Sequence, residues 1–289
     1  MKPAPFEYCR PESLTEALSL LGEYGDEAEI LAGGLSLGPL LNTRMARPTV
    51  VIDINRLDEL AGIERSDSHL RLGALVRQAE VQDSAECNEL LPLLVAALGY
   101  VGHYQTRSRG TLAGSVAMAD PSSEIPLCLA ILAGEVELTS GRGVRQVPAD
   151  EFFQGALVTA RADDEMITAL LWPLDPPGAG TAFEEISERP GDFAIVSVAA
   201  WAQQKPGERL LSYGVGLGGV EDRPHCLRGE VDTPDDLADL AAEISQAAVR
   251  EISPVSDQRA GADYRRHLVG HLGCRALHRA LQQAAGGAA

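Results

Sequence analysis

Basic residues are scarce in this chain, whose 289 residues include 24 Lys and Arg against 42 Asp and Glu, with a net charge of −18. Nucleic acids and anionic membranes bind basic surfaces, so neither is an expected partner. Long apolar runs are also lacking. The longest uncharged one, residues 90–102, is too short to span a bilayer and contains Pro92. We therefore expect no membrane span, and the N-terminus lacks the apolar segment of a signal peptide.

Cysteines are few and far apart, and none forms a C-x-x-C pair. This spacing argues against a zinc site, an iron–sulfur cluster held by this chain alone, or a disulfide framework. A reducing cytoplasm is the simplest expected location. The five cysteines are Cys9, Cys87, Cys128, Cys226 and Cys274.

Rossmann and P-loop fingerprints are absent as well. Residues 214–219 (GVGLGG) match G-x-G-x-x-G in letters, but that fingerprint must open a helix after a strand, whereas Pro224 and no helical period follow here. We predict a strand that enters a turn. His267 and His271 have i, i+4 spacing, but no third ligand is evident, so no metal site is expected. No catalytic acid, base or nucleophile can be assigned.

The order of apolar patterns predicts an α/β opening and an α+β ending. A helix capped by Ser13 and ended by Gly25 precedes a strand, a glycine turn, a helix and the β-branched strand of residues 49–55. A hairpin over residues 135–153 and a strand over 165–173 follow. Strands and then helices occupy the last third, which favours an α+β domain. The Pro- and Gly-rich residues 175–181 mark the expected boundary.

Two small-residue segments with hardly any charge stand out. One is AEILAGGLSLGPLLN (28–42), and the other is RGTLAGSVAMADPSSEIP (109–126). Gly33-Gly34 is consistent with an ordinary tight turn that needs positive φ. It is equally consistent with a phosphate site, where backbone N–H groups converge on an anion. Arg107 and Arg109 flank the second segment; exposure or pairing with a carboxylate is favoured over a phosphate contact.

At these segments the sequence resembles the FAD-binding medium subunit of molybdenum hydroxylases, which include xanthine dehydrogenase, aerobic carbon monoxide dehydrogenase and N-heterocycle dehydrogenases. That family carries AGGxSL and RGTxGGxxAxADPxxExP at similar spacing. Further matches are RPTVVIDINRL (47–57), GHYQTRSRGT (102–111) and ERPGDFAIVSVAA (188–200). The resemblance covers nearly the whole chain in order.

The resemblance implies an α+β fold in two domains. Residues 1–175 would form a p-cresol methylhydroxylase-type FAD-binding domain, with lobes of about 1–57 and 58–175. Residues 179–289 would form the small C-terminal domain of the carbon monoxide dehydrogenase flavoprotein. FAD would lie between the lobes, with its pyrophosphate against both small-residue segments (28–42 and 109–126), called the two glycine segments below.

The same resemblance implies which residues contact FAD, with no catalytic or metal-binding residue among them. They are Ile30, Leu31, Ala32, Gly33, Gly34, Leu35, Ser36, Leu37, Val101, Thr111, Ala113, Gly114, Ser115, Asp120, Glu124, Ile167 and Glu184. Two positions depart from the family pattern. Ala113 replaces a glycine and must accept negative φ or strain, and Glu184-Glu185 stands where relatives often carry a lysine near the flavin.

The implied function is an electron relay, so the chain would be the flavin subunit of an oxidoreductase. A large subunit with molybdopterin would oxidise the substrate, a small subunit would hold two [2Fe–2S] clusters, and the complex would be a heterohexamer. The electron acceptor is left open among NAD, oxygen, a quinone and a protein. The sequence does not indicate the organic substrate. Two alternatives stay open: a self-sufficient FAD-dependent oxidoreductase of the same fold, and a structural subunit that has lost its flavin.

Overall fold

A computed structural model describes residues 2–174, 179–204, 209–234 and 236–287. The chain begins with a three-stranded parallel sheet in the order β1-β3-β2, formed by β1 (Glu7–Cys9), β2 (Ala28–Leu31) and β3 (Val50–Asp53). Helices α1 (Leu14–Tyr24) and α2 (Leu37–Thr43) connect the strands. Ser13 caps α1 and Gly25 ends it. The predicted helix, strand, turn, helix and strand are all confirmed.

A five-stranded antiparallel sheet follows in the order β4-β5-β10-β6-β7, beside the two-stranded pair β8-β9. The predicted hairpin and the strand after it are confirmed as β6, β7 and β10. The strands are β4 (Ile63–Arg65), β5 (His69–Gly73), β6 (Glu135–Ser140), β7 (Gly143–Pro148), β8 (Phe153–Gly155), β9 (Val158–Thr159) and β10 (Met166–Pro173).

Short helices fill the long connection between β5 and β6 and cover the sheet. They are α3 (Gln78–Asp83), α4 (Ala85–Leu90), α5 (Pro92–Leu98), α6 (Tyr104–Arg107), α7 (Leu112–Met118) and α8 (Glu124–Ile131). A further short helix, α9 (Ala149–Phe152), follows β7, and 3-10 turns lie at Gly25–Glu27 and Asp58–Leu60. Every residue of α8 is buried, which explains why its sequence is apolar throughout after Glu124.

The C-terminal part is a four-stranded antiparallel sheet with two helices on one face. The strands are β11 (Gly180–Ser187), β12 (Ala194–Gln204), β13 (Leu210–Gly218) and β14 (His225–Asp232), and the helices are α10 (Leu237–Glu251) and α11 (Ala262–Gly287). The predicted order of strands before helices is confirmed. Of the expected boundary, residues 175–178 lie outside the described residues, and β11 begins at Gly180.

The glycines of GVGLGG have a packing role in β13. Cβ atoms at Gly216 and Gly218 would lie 2.8 and 3.2 Å from the side chain of Leu127 in α8. Only strands without side chains at these positions can approach the helix so closely. Gly219 leaves the strand with φ of +75° and donates its N–H to the carbonyl of Pro121. The predicted strand and turn are confirmed. These glycines lie where the C-terminal four-stranded sheet packs against α8 of the N-terminal part.

Two hydrophobic cores lie on either side of this contact. One surrounds α5, α8 and the five-stranded sheet, with Trp172 fully buried at its centre, and the other lies between β12, β13 and the last two helices. Across the contact, Trp201 donates from its indole N–H to the carbonyl of Ile131 (3.3 Å) and Arg228 pairs with Asp150 (3.2 Å). Among the described residues, no helix is long and apolar enough to cross a membrane.

Candidate functional site

The first glycine segment lies at the carboxyl edge of the parallel sheet. Leu31, the last residue of β2, pairs with Asp53, the last residue of β3, so the segments after both strands start at the same edge. In open parallel sheets ligands bind at this edge, where the connections diverge. Gly34 has φ of +74°, a left-handed conformation that glycine adopts without steric cost. The turn that follows β2 is therefore placed where a ligand can reach its backbone.

The two glycine segments touch each other through their backbones. A Cβ atom added at Gly33 would collide with the carbonyl oxygen of Arg109 and lie 2.9 Å from Cα of Gly110. Real Cβ atoms do not approach backbone atoms so closely, and backbone cannot swing aside as a side chain can. The absence of a side chain at Gly33 thus lets two distant parts of the chain form one continuous surface.

The second segment is the start of a helix rather than a second glycine turn. Thr111 caps α7, with its Oγ1 accepting from the N–H of Gly114 at 3.0 Å. Ala113 and Gly114 both lie inside the helix, and Ala113 is not among the residues with positive φ. The expected strain at Ala113 does not arise, because a helical position suits alanine better than glycine.

Backbone donors at both segments have no acceptor in the protein. Within the described part of the chain, none of the N–H groups of residues 33–37 donates a hydrogen bond to another protein group, and the same holds for Ala113. Ala113 is buried, which makes this notable, since buried backbone donors are nearly always paired. A ligand with several acceptor oxygens would satisfy these donors, as the phosphates of a dinucleotide do.

Asn55, which follows β3, fixes the carbonyl of the first turn. Its Nδ2 donates to the carbonyl oxygen of Ala32 (2.8 Å) and to Oδ1 of Asp53 (2.6 Å). Its Oδ1 accepts from the guanidinium of Arg77 (2.7 Å), which also donates to the carbonyl of Arg109 (2.9 Å). A continuous chain of hydrogen bonds thus joins both segments.

Neither Asn55 nor Arg77 was identified from the sequence. Asn55 could have been found, because it stands directly after a strand whose parallel partner ends in the glycine turn. Arg77 carries no such signal. Burial, followed by the charge of Arg109, lowers its pKa. Arg107 is half-buried and donates to Oε1 of Gln82 (2.8 Å) and to the carbonyl of Val101 rather than to a carboxylate, whereas Arg109 is exposed as expected.

The other expected site residues fall around these segments. Val101 lies between α5 and α6, and Ile167 lies on β10, which packs against α7. Asp120 follows α7 and its Oδ1 accepts from the N–H of Ser122 at 2.9 Å. Glu124 begins α8 and is 6% exposed. Leu35 and Ser36 are exposed on the first turn, whereas Thr111 is buried beneath the second segment.

Glu184 is paired with two arginines of the last helix. It lies on the face of β11 that meets α11, where it forms ion pairs with Arg275 and with Arg279 (2.9 Å to Oε1). Its charge is thereby compensated. That Glu184 contacts the flavin stays a prediction; the neighbouring Glu185 lies on the opposite face of the strand, toward Glu124.

Two carboxyl groups come together between the domains. Burial, and then the charge of Glu124, raises the pKa of Glu185 to about 8. Burial also raises the pKa of Glu124 to about 7, and Asp120 adds to the shift. One carboxyl oxygen of Glu185 is buried without a hydrogen-bond partner in the described residues. Burial without a counter-ion favours the neutral form, so both carboxyl groups bind a proton at higher pH than an exposed glutamate does.

Family models match almost the whole chain. Residues 4–175 match the FAD binding domain in molybdopterin dehydrogenase, and residues 181–280 match the C-terminal domain of the CO dehydrogenase flavoprotein. The first model alone covers more than half of the chain. The chain is therefore an FAD-binding α+β protein.

Similar proteins support the same assignment. Subunit alpha of the 6-hydroxypseudooxynicotine dehydrogenase complex of Paenarthrobacter nicotinovorans is 37% identical, covering 98% of this chain and 97% of its own. The caffeine dehydrogenase subunit beta of Pseudomonas sp. (strain CBB1) is 35% identical over the same shares. Among solved structures, quinoline 2-oxidoreductase from Pseudomonas putida 86 has a TM-score of 0.88 and 31% identity, covering all of both chains.

A second solved structure, the Cu,Mo-CO dehydrogenase, has a TM-score of 0.91 and 31% identity, covering 98% of this chain and all of the matched chain. The chain belongs to the family of FAD-binding subunits of molybdopterin-dependent dehydrogenases. It is an oxidoreductase subunit, and FAD is its cofactor. The unpaired backbone donors and the bare contact at Gly33 fit the diphosphate of that cofactor.

Proposed function

We propose that this chain is the flavin subunit of a heteromeric molybdenum hydroxylase and relays electrons to an external acceptor. They would come from two [2Fe–2S] clusters in a small partner subunit, and a large subunit with molybdopterin would oxidise the organic substrate. When bound, FAD supplies the isoalloxazine ring that accepts and releases electrons, and the protein orients it and sets its potential.

The observation that carries this proposal is the contact between Gly33 and the backbone of residues 109–110. It creates a cradle for a diphosphate without supplying any group for substrate chemistry. The five cysteines are scattered over five different elements, and the described residues contain no group of three or more His, Cys, Asp or Glu side chains that could hold a metal ion. A flavin site without a cluster or a substrate acid suits a subunit that passes electrons between partners.

We place the pyrophosphate of FAD against residues 33–37 and the start of α7. The adenosine or ribityl hydroxyls would reach Asp120 and Glu124, while Val101 and Ile167 would supply apolar contacts, the latter near the isoalloxazine ring. The proposed domains are residues 1–175 and 179–289. A cytoplasmic location agrees with five cysteines that form no disulfide.

The purified chain is expected to hold FAD non-covalently, at one molecule per chain. Backbone donors provide the binding, and neither residues 28–42 nor residues 109–126 include a cysteine or histidine that could tether the flavin. Acid precipitation followed by chromatography of the supernatant measures the cofactor. FMN in the supernatant would contradict the diphosphate argument, and flavin in the pellet would contradict non-covalent binding.

Electron relay is tested by stopped-flow reduction of the flavin with the organic substrate. We expect rapid reduction in the complex reconstituted from large, medium and small subunits, because only the complex contains the substrate site and the clusters. The isolated chain should retain oxidised flavin under the same conditions. Equal rates for the isolated chain and the complex would instead establish a self-sufficient flavoenzyme.

A further inference from the structure

The spacing of the two glycine segments depends on residues that lie outside the contact between them. Gly33 meets Arg109 and Gly110 through backbone alone. Such a contact contains few atoms and no interlocking side chains, so dispersion forces hold it weakly. Something outside the contact must fix the two backbones at this separation.

Arg77 occupies the position from which both backbones can be held. One arm of its guanidinium donates to Oδ1 of Asn55, and the other donates to the carbonyl of Arg109. Asn55 in turn holds the carbonyl of Ala32, next to Gly33. Because the guanidinium is a rigid planar fork, the separation of its two acceptors is set by its covalent geometry.

The backbone of Arg77 is anchored independently of its side chain. Its N–H donates to Oε2 of Glu80 (2.8 Å) at the start of α3, and the next N–H, of Gln78, donates to the carbonyl of Gly110 (3.0 Å). In the described residues the guanidinium forms no ion pair within 4 Å. Its hydrogen bonds go to a neutral amide and a carbonyl, so it acts as a spacer rather than as half of an ion pair.

We propose that Asn55 and Arg77 form a positioning bridge that sets the spacing of the two glycine segments and thereby the affinity for the diphosphate of FAD. The proposal rests on FAD lying against these segments, as placed above. Neither residue takes part in electron transfer. Both act through the backbone carbonyls of Ala32 and Arg109.

The test compares ligand affinity in Arg77→Met and in the wild-type full chain, after removal of the flavin. Titrations with FAD, and competition with ADP, give the dissociation constants. Hydrogen bonds to a charged group contribute about 1.5–3 kcal/mol, so Arg77→Met should weaken FAD roughly 10- to 100-fold. ADP should weaken by the same factor because it shares the diphosphate, whereas a general loosening of the isoalloxazine pocket would leave ADP unchanged.

Arg71→Met is the matched control. Arg71 is also half-buried in the same domain and pairs with Glu137 (2.8 Å), but touches neither glycine segment. Both variants should melt at a lower temperature, but Arg71→Met should keep its FAD and ADP affinities within about twofold. If Arg77→Met and Arg71→Met weaken FAD equally, general destabilisation explains the effect and the bridge is refuted.

Arg77→Lys separates the bridge from the charge. A lysine ammonium keeps the charge but cannot reach both acceptors at once, so most of the loss should persist. Full affinity in Arg77→Lys would refute the bridge. In a double-mutant cycle with Asn55→Ala, the double variant should lose no more FAD affinity than the single variant that binds FAD less tightly. One broken link already disconnects the two segments. If the wild-type chain does not bind FAD, the FAD function itself is refuted. If the wild type binds FAD and Arg77→Met binds it equally well, only the bridge is refuted.

Discussion

Replacing Gly33 by alanine is expected to abolish FAD binding. The new methyl group would overlap the carbonyl oxygen of Arg109 and lie 2.9 Å from Cα of Gly110, so the two glycine segments must separate. They cannot do so freely, because that carbonyl accepts from Arg77 and the carbonyl of Gly110 accepts from Gln78. The expected observation is a colourless purified chain, measured as visible flavin absorbance per polypeptide.

Loss of the cofactor also lowers the melting temperature. A ligand at 100 to 1,000 times its dissociation constant stabilises the folded state by roughly 3–4 kcal/mol. Gly33→Ala should therefore no longer respond to added FAD in thermal unfolding. Retention of full flavin content by Gly33→Ala would contradict the cradle.

Gly38 provides the control for this substitution. It lies in α2, and nothing comes within 4 Å of a Cβ atom built there. Gly38→Ala should keep all its flavin and gain about 0.5–1 kcal/mol, the difference in helix propensity between the two residues. Gly34→Ala should fall between these variants, because φ of +74° costs an L-residue about 1–2 kcal/mol without a backbone collision.

Much of this cradle could be predicted from the sequence because its parts are local. The strand, glycine turn and helix over residues 28–43 are predicted by the spacing of their apolar residues and by Gly33-Gly34. The helix α7 is not predicted by the sequence analysis, although Thr111 three residues before Gly114 is a capping pattern.

Long-range features were beyond the sequence. Arg77 meets Arg109 across 32 residues and Asn55 across 22, and no periodicity encodes either pairing. Alternation along β11 predicts that Glu184 and Glu185 face opposite ways. It cannot say which of the two faces α11, because this depends on how the sheet packs against a helix about ninety residues later.

Glu185 and Glu184 are expected to have opposite effects on stability when each is replaced by glutamine. The folded chain keeps Glu185 protonated up to about pH 8, whereas an unperturbed glutamate ionises near 4.5. Between these values the folded state binds more protons than the unfolded state. The free energy of unfolding therefore falls as the pH rises through this window. Glu124, with a pKa of about 7, contributes in the same direction.

Glu185→Gln removes this titration, so its melting temperature should match the wild type at pH 5 and exceed it by about 2–4 °C or more at pH 9. Glu184→Gln should melt below the wild type at pH 7 and 9, because Arg275 and Arg279 lose their shared carboxylate. Thermal unfolding of the flavin-free chain, followed by circular dichroism at pH 5, 7 and 9, measures both. Removing FAD keeps changes in ligand affinity out of the comparison. A lower melting temperature for Glu185→Gln at pH 9 would show that its carboxylate is stabilised in the folded chain, contrary to its burial beside Glu124.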